Sequence, residues 1–193
     1  MTTPVKLSLA SVKPGDVLPE LAFDVSATTV VLGALATRDF RPMHHDKDFA
    51  VERNGMQNIF INTPNNAAWF ERFITDWTGP HGRLGRLSFQ MKKPVFPGNA
   101  MCFSGVVSAL ATDDTGCHWA DIELAIRVAD EPRTVGKARV AIPADADDNP
   151  WLRQGDRWKV TIPWQLAYGA TGNEPDIPKK ADLVYDIEVV EVK

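Results

Sequence analysis

Asp39-Phe40-Arg41-Pro42-Met43-His44-His45-Asp46-Lys47-Asp48-Phe49-Ala50 is the stretch on which the reading of this chain turns. It follows an apolar run, Val30 to Ala36, and sets an acid, a proline, two histidines and two more acids in close order. Pro42 stiffens its own backbone and biases its predecessor away from helix. A carboxylate at 39 and an imidazole at 44 can then be held toward one cleft. Such a pair suits acid-base chemistry near neutral pH, because imidazole titrates there and a nearby carboxylate orients the ring and sets its tautomer. An acid and a histidine five residues apart also serve simply to cap a turn, so the surroundings decide.

Downstream, Thr63-Pro64 reads as a helix start, with threonine as N-cap and proline at the first helical position. Ala67, Phe70, Phe73, Ile74 and Trp77 follow at helical spacing and make one apolar face, and Gly79-Pro80 ends the helix. Trp69 falls off that stripe, which suits a subunit contact or a half-buried aromatic equally. Four strand-like runs come next: Leu87 to Met91, Met101 to Leu110, Cys117 to Val128 and Val135 to Ile142. Turns fall at Asp113-Asp114-Thr115-Gly116 and at Asp130-Glu131-Pro132-Arg133. Strands in succession argue for an antiparallel meander, and with the helix they make an α+β layer pair. Upstream, Pro14-Gly15 marks a turn and the segment to Val31 alternates as a first strand would. Thr28 to Ala36 suits either a short helix or a buried strand.

The spacing Asp-x-x-Pro-x-His-x-Asp-x-x-x-Ala resembles the signature of MaoC-like, (R)-specific enoyl-CoA hydratases, which have the hotdog fold. The resemblance continues through Gly55 to Phe60, the helix Pro64 to Trp77, the strand entry Lys93-Pro94-Val95-Phe96-Pro97-Gly98-Asn99, and Gly136-Lys137-Ala138-Arg139-Val140-Ala141-Ile142-Pro143. Ala36-Thr37-Arg38-Asp39, His44-His45-Asp46, Ile59-Phe60-Ile61-Asn62 and Thr75-Asp76-Trp77-Thr78-Gly79-Pro80 look like the small hydratase subunits of bacterial steroid side-chain degradation. The resemblance implies a sheet wrapped around a central helix over residues 1–143, with Asp39 as orienting base and His44 as its acid-base partner. It also implies an acyl-CoA thioester as substrate, no metal or redox cofactor, and either a homodimer or a heteromer with a second MaoC-like chain.

Helix starts carry unpaired N-H groups and a positive dipole end that can hold a developing oxyanion. Asn62 and Thr63 stand at that start, where many family members have His-Gly; Asn62 as a simple cap is the alternative. His81, Arg83 and Arg86 form a basic group just after the helix, fit either for the phosphates of CoA or for a solvated loop. His118 reads as structural.

A formal net charge of -4 gives no reason to expect nucleic acid, which needs a concentrated basic face. Cys102 and Cys117 are too far apart for a zinc site and read as buried thiols. Met1 to Leu9 lacks the apolar core of a signal peptide, and no apolar run approaches the ~20 residues of a membrane helix. The cytoplasm is the expected compartment.

Ala144 to Asn149 is an acidic, alanine-rich linker, so residues 144–150 divide the hydratase-like part from a different tail. From Trp151 to Lys193 the sequence resembles the C-terminal half of an FKBP-type prolyl isomerase, with Tyr168, Ile177 and Tyr185 where that family lines its proline pocket. The strands and helix that complete such a pocket are not found upstream. A segment this short buries too little for a self-sufficient core, so it is expected to pack as an arm on the hotdog layer or on a partner subunit. Two rival functions stand beside the hydratase: a non-catalytic subunit of a heteromeric hydratase, and a prolyl isomerase or chaperone-like module.

Overall fold

The computed structural model describes residues 7–152 and the backbones of residues 157–162 and 183–188. The chain divides into two compact units, Met1–Trp151 and Leu152–Lys193. In the first, strand β1 (Leu21–Asp24) leads into helix α1 (Ala27–Ala36), helix α2 (Lys47–Glu52) and helix α3 (Thr63–Thr78), followed by strands β2 (Arg83–Met91), β3 (Ala100–Thr112), β4 (His118–Val128) and β5 (Glu131–Ile142).

Helix α3 is the centre of the core. Its periodic Phe70, Phe73 and Ile74 are buried against the inner face of the sheet, where the Phe103 ring lies 6.1 Å from Phe70 and 5.8 Å from Phe73. Gly105 on β3 lets the helix come close: a Cβ there would sit 3.2 Å from the Phe73 ring. Burying each such aromatic contributes about 1.5–3 kcal/mol. Trp69 proves to be half-buried, its ring 4.4 Å from Phe23 and 5.9 Å from Phe103. Gly79, at φ 71, terminates the helix as its sequence suggests. The cap is Asn62 rather than Thr63, because the Asn62 carboxamide oxygen accepts from Asn65 N-H at 3.2 Å and draws Thr63 into the first turn.

The five strands run antiparallel in the order β1-β3-β4-β5-β2. The simple meander therefore holds for β3-β4-β5, while β2 pairs with β5 at the far edge. Residues 92–99 explain this. Instead of turning tightly, they cross with Val95 and Phe96 buried, and the Val95 carbonyl accepts from Ile61 N-H at 3.0 Å. The turn between β4 and β5 falls on Ala129 and Asp130, at φ 48 and 63, so Glu131 to Arg133 already belong to β5. Two successive left-handed residues make the tight connection that matches strand twist.

Thr28 to Ala36 is helical, since Ser26 and Thr29 form a reciprocal cap: Thr29 N-H donates to Ser26 Oγ at 3.0 Å and Ser26 N-H to Thr29 Oγ1 at 3.2 Å. That cap confines the first strand to β1. The acid-histidine stretch is also more ordered than a loop, with a short 3-10 turn over Pro42–His44 and α2 capped by Asp46, which accepts from Phe49 N-H at 3.0 Å. Cys117 is buried as expected, whereas Cys102 is only partly so; burial and then the Glu20 carboxylate push the Cys102 thiol upward.

In the second unit, β6 (Arg157–Ile162) and β7 (Leu183–Glu188) pair antiparallel, with Val160 opposite Tyr185. Tyr168 and Ile177 lie outside the described residues. Among the described residues no helix is long and apolar enough to cross a membrane.

Candidate active site

Pro42 turns the chain so that His44 points inward, 5% exposed, while Asp39 keeps its side chain 20% exposed. The two meet with Asp39 Oδ2 at 3.5 Å from His44 Nε2. The other ring nitrogen, Nδ1, lies 2.8 Å from the Phe60 carbonyl oxygen, and the Phe60 ring packs edge-on at 4.8 Å. A carbonyl only accepts, so Nδ1 must carry the hydrogen, and in the neutral form of the ring Nε2 presents its lone pair to the carboxylate. A separation of 3.5 Å is longer than an ordinary N-H to O hydrogen bond. In that form Asp39 Oδ2 and His44 Nε2 are two acceptors 3.5 Å apart, close enough for one donor beside them to reach both.

Asn62 stands behind the pair. Its side-chain N-H groups donate to Asp39 Oδ2 at 3.0 Å and to Thr37 Oγ1 at 2.9 Å, while its oxygen caps α3. On the outer side, Arg41 Nε is 4.0 Å from Asp39 Oδ1 with its side chain 75% exposed, a pair worth little in solvent.

The start of α3 is close at hand, because Asn62 belongs to both features. Of the first-turn amides, Pro64 has no N-H, Asn65 donates to the Asn62 side chain, and Asn66 donates to the Asn62 carbonyl at 3.1 Å. Among the described residues the Thr63 N-H is the first-turn amide left without a protein acceptor, and Thr63 itself is exposed. Its hydroxyl donates to Met91 Sδ at 3.3 Å.

The sequence thus brings Asp39, His44, Asn62 and Thr63 together, but Arg83 and Arg86 stand elsewhere. Arg83 is 4% exposed, neither solvated nor open to a ligand, with its guanidinium 5.2 Å from the centre of the Trp119 ring. Arg86 lies on β2 with its side chain on the sheet face opposite α3, since its neighbour Leu87 and then Phe89 turn inward to pack on the core. Neither can be assigned to CoA phosphates at this site. An open trough of about 660 Å³ on that opposite face, lined by Ser88, Ser104, Glu123, Arg127 and Lys137, likewise includes neither Asp39 nor His44. Sequence reasoning missed the Phe60 carbonyl and Thr37. A backbone oxygen leaves no side-chain signal, and Thr37 is one threonine among many until α1 is seen to end there, its hydroxyl donating to the Gly33 carbonyl at 2.7 Å. Among the described residues no group of three or more His, Cys, Asp or Glu side chains is placed to hold a metal ion.

Comparison with known proteins gives the family. Over 96 residues the chain is 38% identical to the 3-oxo-4,17-pregnadiene-20-carboxyl-CoA hydratase beta subunit of Mycobacterium tuberculosis, spanning 50% of this chain and 74% of that relative. The crystal structure of the ChsH1-ChsH2 complex from Mycobacterium tuberculosis is similar at a TM-score of 0.61 and 28% identity, covering 67% of this chain and 98% of that one. An (R)-hydratase from A. caviae involved in PHA biosynthesis shares the fold at a TM-score of 0.61 and 24% identity, covering 69% and 98%. Residues 150–190 match the family model of FKBP-type peptidyl-prolyl cis-trans isomerases. There the macrophage infectivity potentiator of Trypanosoma cruzi is 45% identical over 42 residues, 22% of this chain, and the chain spans about a fifth of that relative's length, 21%. With the five-stranded sheet packed on α3 and the Asp39-His44 pair beside the cap of that helix, the chain belongs to the MaoC-like hydratases of the hotdog fold.

Proposed function

We propose that the chain hydrates trans-2-enoyl-CoA thioesters reversibly to (R)-3-hydroxyacyl-CoA, with Asp39 and His44 as the catalytic residues. The observation that carries this reading is the approach of Asp39 Oδ2 to His44 Nε2 at 3.5 Å, with the other ring nitrogen held by the Phe60 carbonyl at 2.8 Å. A water beside the pair donates one hydrogen to each and turns a lone pair toward the β carbon of the substrate. As that carbon-oxygen bond forms, one water proton passes to the pair and the double-bond electrons move onto the α carbon and the thioester carbonyl. The same proton is then returned to the α carbon, so water adds across one face of the double bond and both residues regain their starting state. Asp39 orients and accepts, and His44 is its acid-base partner. The Thr63 N-H, at the positive end of α3, takes the enolate oxygen.

The relative named as a beta subunit and the similar two-protein complex support a heteromer with a second MaoC-like chain and a bulky, steroid side-chain acyl group. We assign the work to the cytoplasm and the segment after the hydratase unit to an interaction arm. The test is loss of enoyl-thioester absorbance with purified protein, alone and with a candidate partner chain, on short-chain and steroid-sized substrates. Asp39→Ala and His44→Ala are each expected to lower kcat by about 100-fold to 10,000-fold, the usual worth of a general acid-base group. Variants that turn over normally within an intact complex would move the chemistry to the partner and leave this chain a non-catalytic subunit.

A further inference from the structure

We infer that Thr37 and Asn62 act together as positioning residues that aim the Asp39 carboxylate at His44. This rests on the hydratase reading above and goes beyond it by giving each hydrogen bond of a buried amide a task. The Thr37 hydroxyl donates to the Gly33 carbonyl at 2.7 Å, with a longer approach of 3.2 Å to Ala34, and so offers its lone pair to Asn62 Nδ2 at 2.9 Å. The second hydrogen of that amide goes to Asp39 Oδ2 at 3.0 Å, the oxygen that faces His44. The amide oxygen is held by Asn65 N-H at 3.2 Å. Turned the other way, the amide would set its oxygen against the carboxylate and its NH₂ against the Asn65 N-H, both repulsive. One orientation is therefore selected, and at 2% exposure Asn62 has no water to replace a lost partner.

What the arrangement opposes is also visible. Arg41, mostly solvent-exposed, stands 4.0 Å from the other Asp39 oxygen and draws the carboxylate outward. The Asn62 bond holds it inward, and an N-H donated to a carboxylate in a buried place outweighs an exposed ion pair. Thr37 ties this to the end of α1, so the last turn of that helix, the cap of α3 and the candidate base share one chain of hydrogen bonds.

The experiment compares Thr37→Val, which keeps the shape and removes the hydroxyl, with Thr37→Ser, which keeps the hydroxyl, by steady-state kinetics and by NMR of the Asn62 side-chain amide. Thr37 has not been placed against substrate. Thr37→Val is thus expected to lower kcat by about 10-fold to 100-fold, the scale of a small misplacement, with KM unchanged. Thr37→Ser is expected to restore most of the loss. The two Asn62 amide hydrogens should be slow to exchange in wild type and fast in Thr37→Val. A Thr37→Val enzyme with wild-type kcat, or a loss that appears only in KM, overturns the inference. If wild type hydrates none of the thioesters, the hydratase reading is what fails. The amide signals then decide alone: unchanged exchange in Thr37→Val overturns the positioning chain, and faster exchange upholds it.

Discussion

Thr63→Pro replaces the one amide hydrogen of the proposed site with a ring carbon and leaves the helix start as it is. Thr63 is the first residue of α3, where proline is favoured because its fixed φ suits a helix start and its missing N-H serves no intrahelical bond. Asn62 already has φ -80 and ψ 165, the extended conformation that a residue before proline prefers. The substitution also gives up the weak hydroxyl donation to Met91 Sδ at 3.3 Å, which Thr63→Ala gives up as well while keeping the N-H. The ratio of the two variants therefore reports the amide hydrogen together with the ring carbon that takes its place. Loss of one oxyanion donor typically costs about 100-fold to 1,000-fold in kcat, or about 2.7–4 kcal/mol of transition-state stabilisation. We expect that loss in Thr63→Pro relative to Thr63→Ala, with thermal unfolding midpoints alike, measured as enoyl-thioester hydration at saturating substrate. Equal kcat in the two variants would refute the assignment of the Thr63 amide, because no other first-turn N-H of α3 is uncommitted among the described residues.

Two further predictions concern the frame that holds the site. Burial raises the Asp113 carboxyl, but donation from the Thr115 hydroxyl, the Trp119 indole and the Cys117 and Thr115 amides outweighs it and brings the pKa from 3.8 to about 2. A carboxylate depressed in the folded state stabilises it above the unfolded pKa, so this contribution is full above about pH 4 and vanishes as pH falls through about 2. Discounted for partial exposure it amounts to about 1–2 kcal/mol, and the stability gap between wild type and Asp113→Asn in urea titrations should shrink over that window; a gap constant with pH would refute it. Phe70→Ala empties a fully buried place between α3 and the rings of Phe103 and Phe89. It should cost about 3–5 kcal/mol in denaturant unfolding, and a cost below about 1 kcal/mol would mean the helix does not pack on the sheet as described.

How much was legible in advance follows from how far apart the interacting residues are. The central helix announced itself because its signals are local: a proline near the start, a 3.6-residue apolar period and a terminal glycine act within a few turns of one another. The Asp39-His44 pair was legible for the same reason, since Pro42 fixes the short backbone between them. The capping residue was misplaced by one position because Asn62 and Thr63 are both good caps in isolation; what selected Asn62 was its second partner, Asp39, 23 residues away.

The family, the α3 stripe and the acid-histidine spacing were all readable from residues that are neighbours along the chain. The folding of distant segments onto one another set which neutral tautomer His44 adopts, because the Phe60 carbonyl that fixes it is a backbone atom 16 residues distant. It likewise decided that Arg83 is buried beneath Trp119 while Arg86 faces away from the site, and that β2 closes the far edge of the sheet. Charge along a chain says nothing about which side of a sheet will carry it. That side is chosen by the alternation of β2 and by its pairing with β5, contacts that exist only once residues 92–99 have crossed the core.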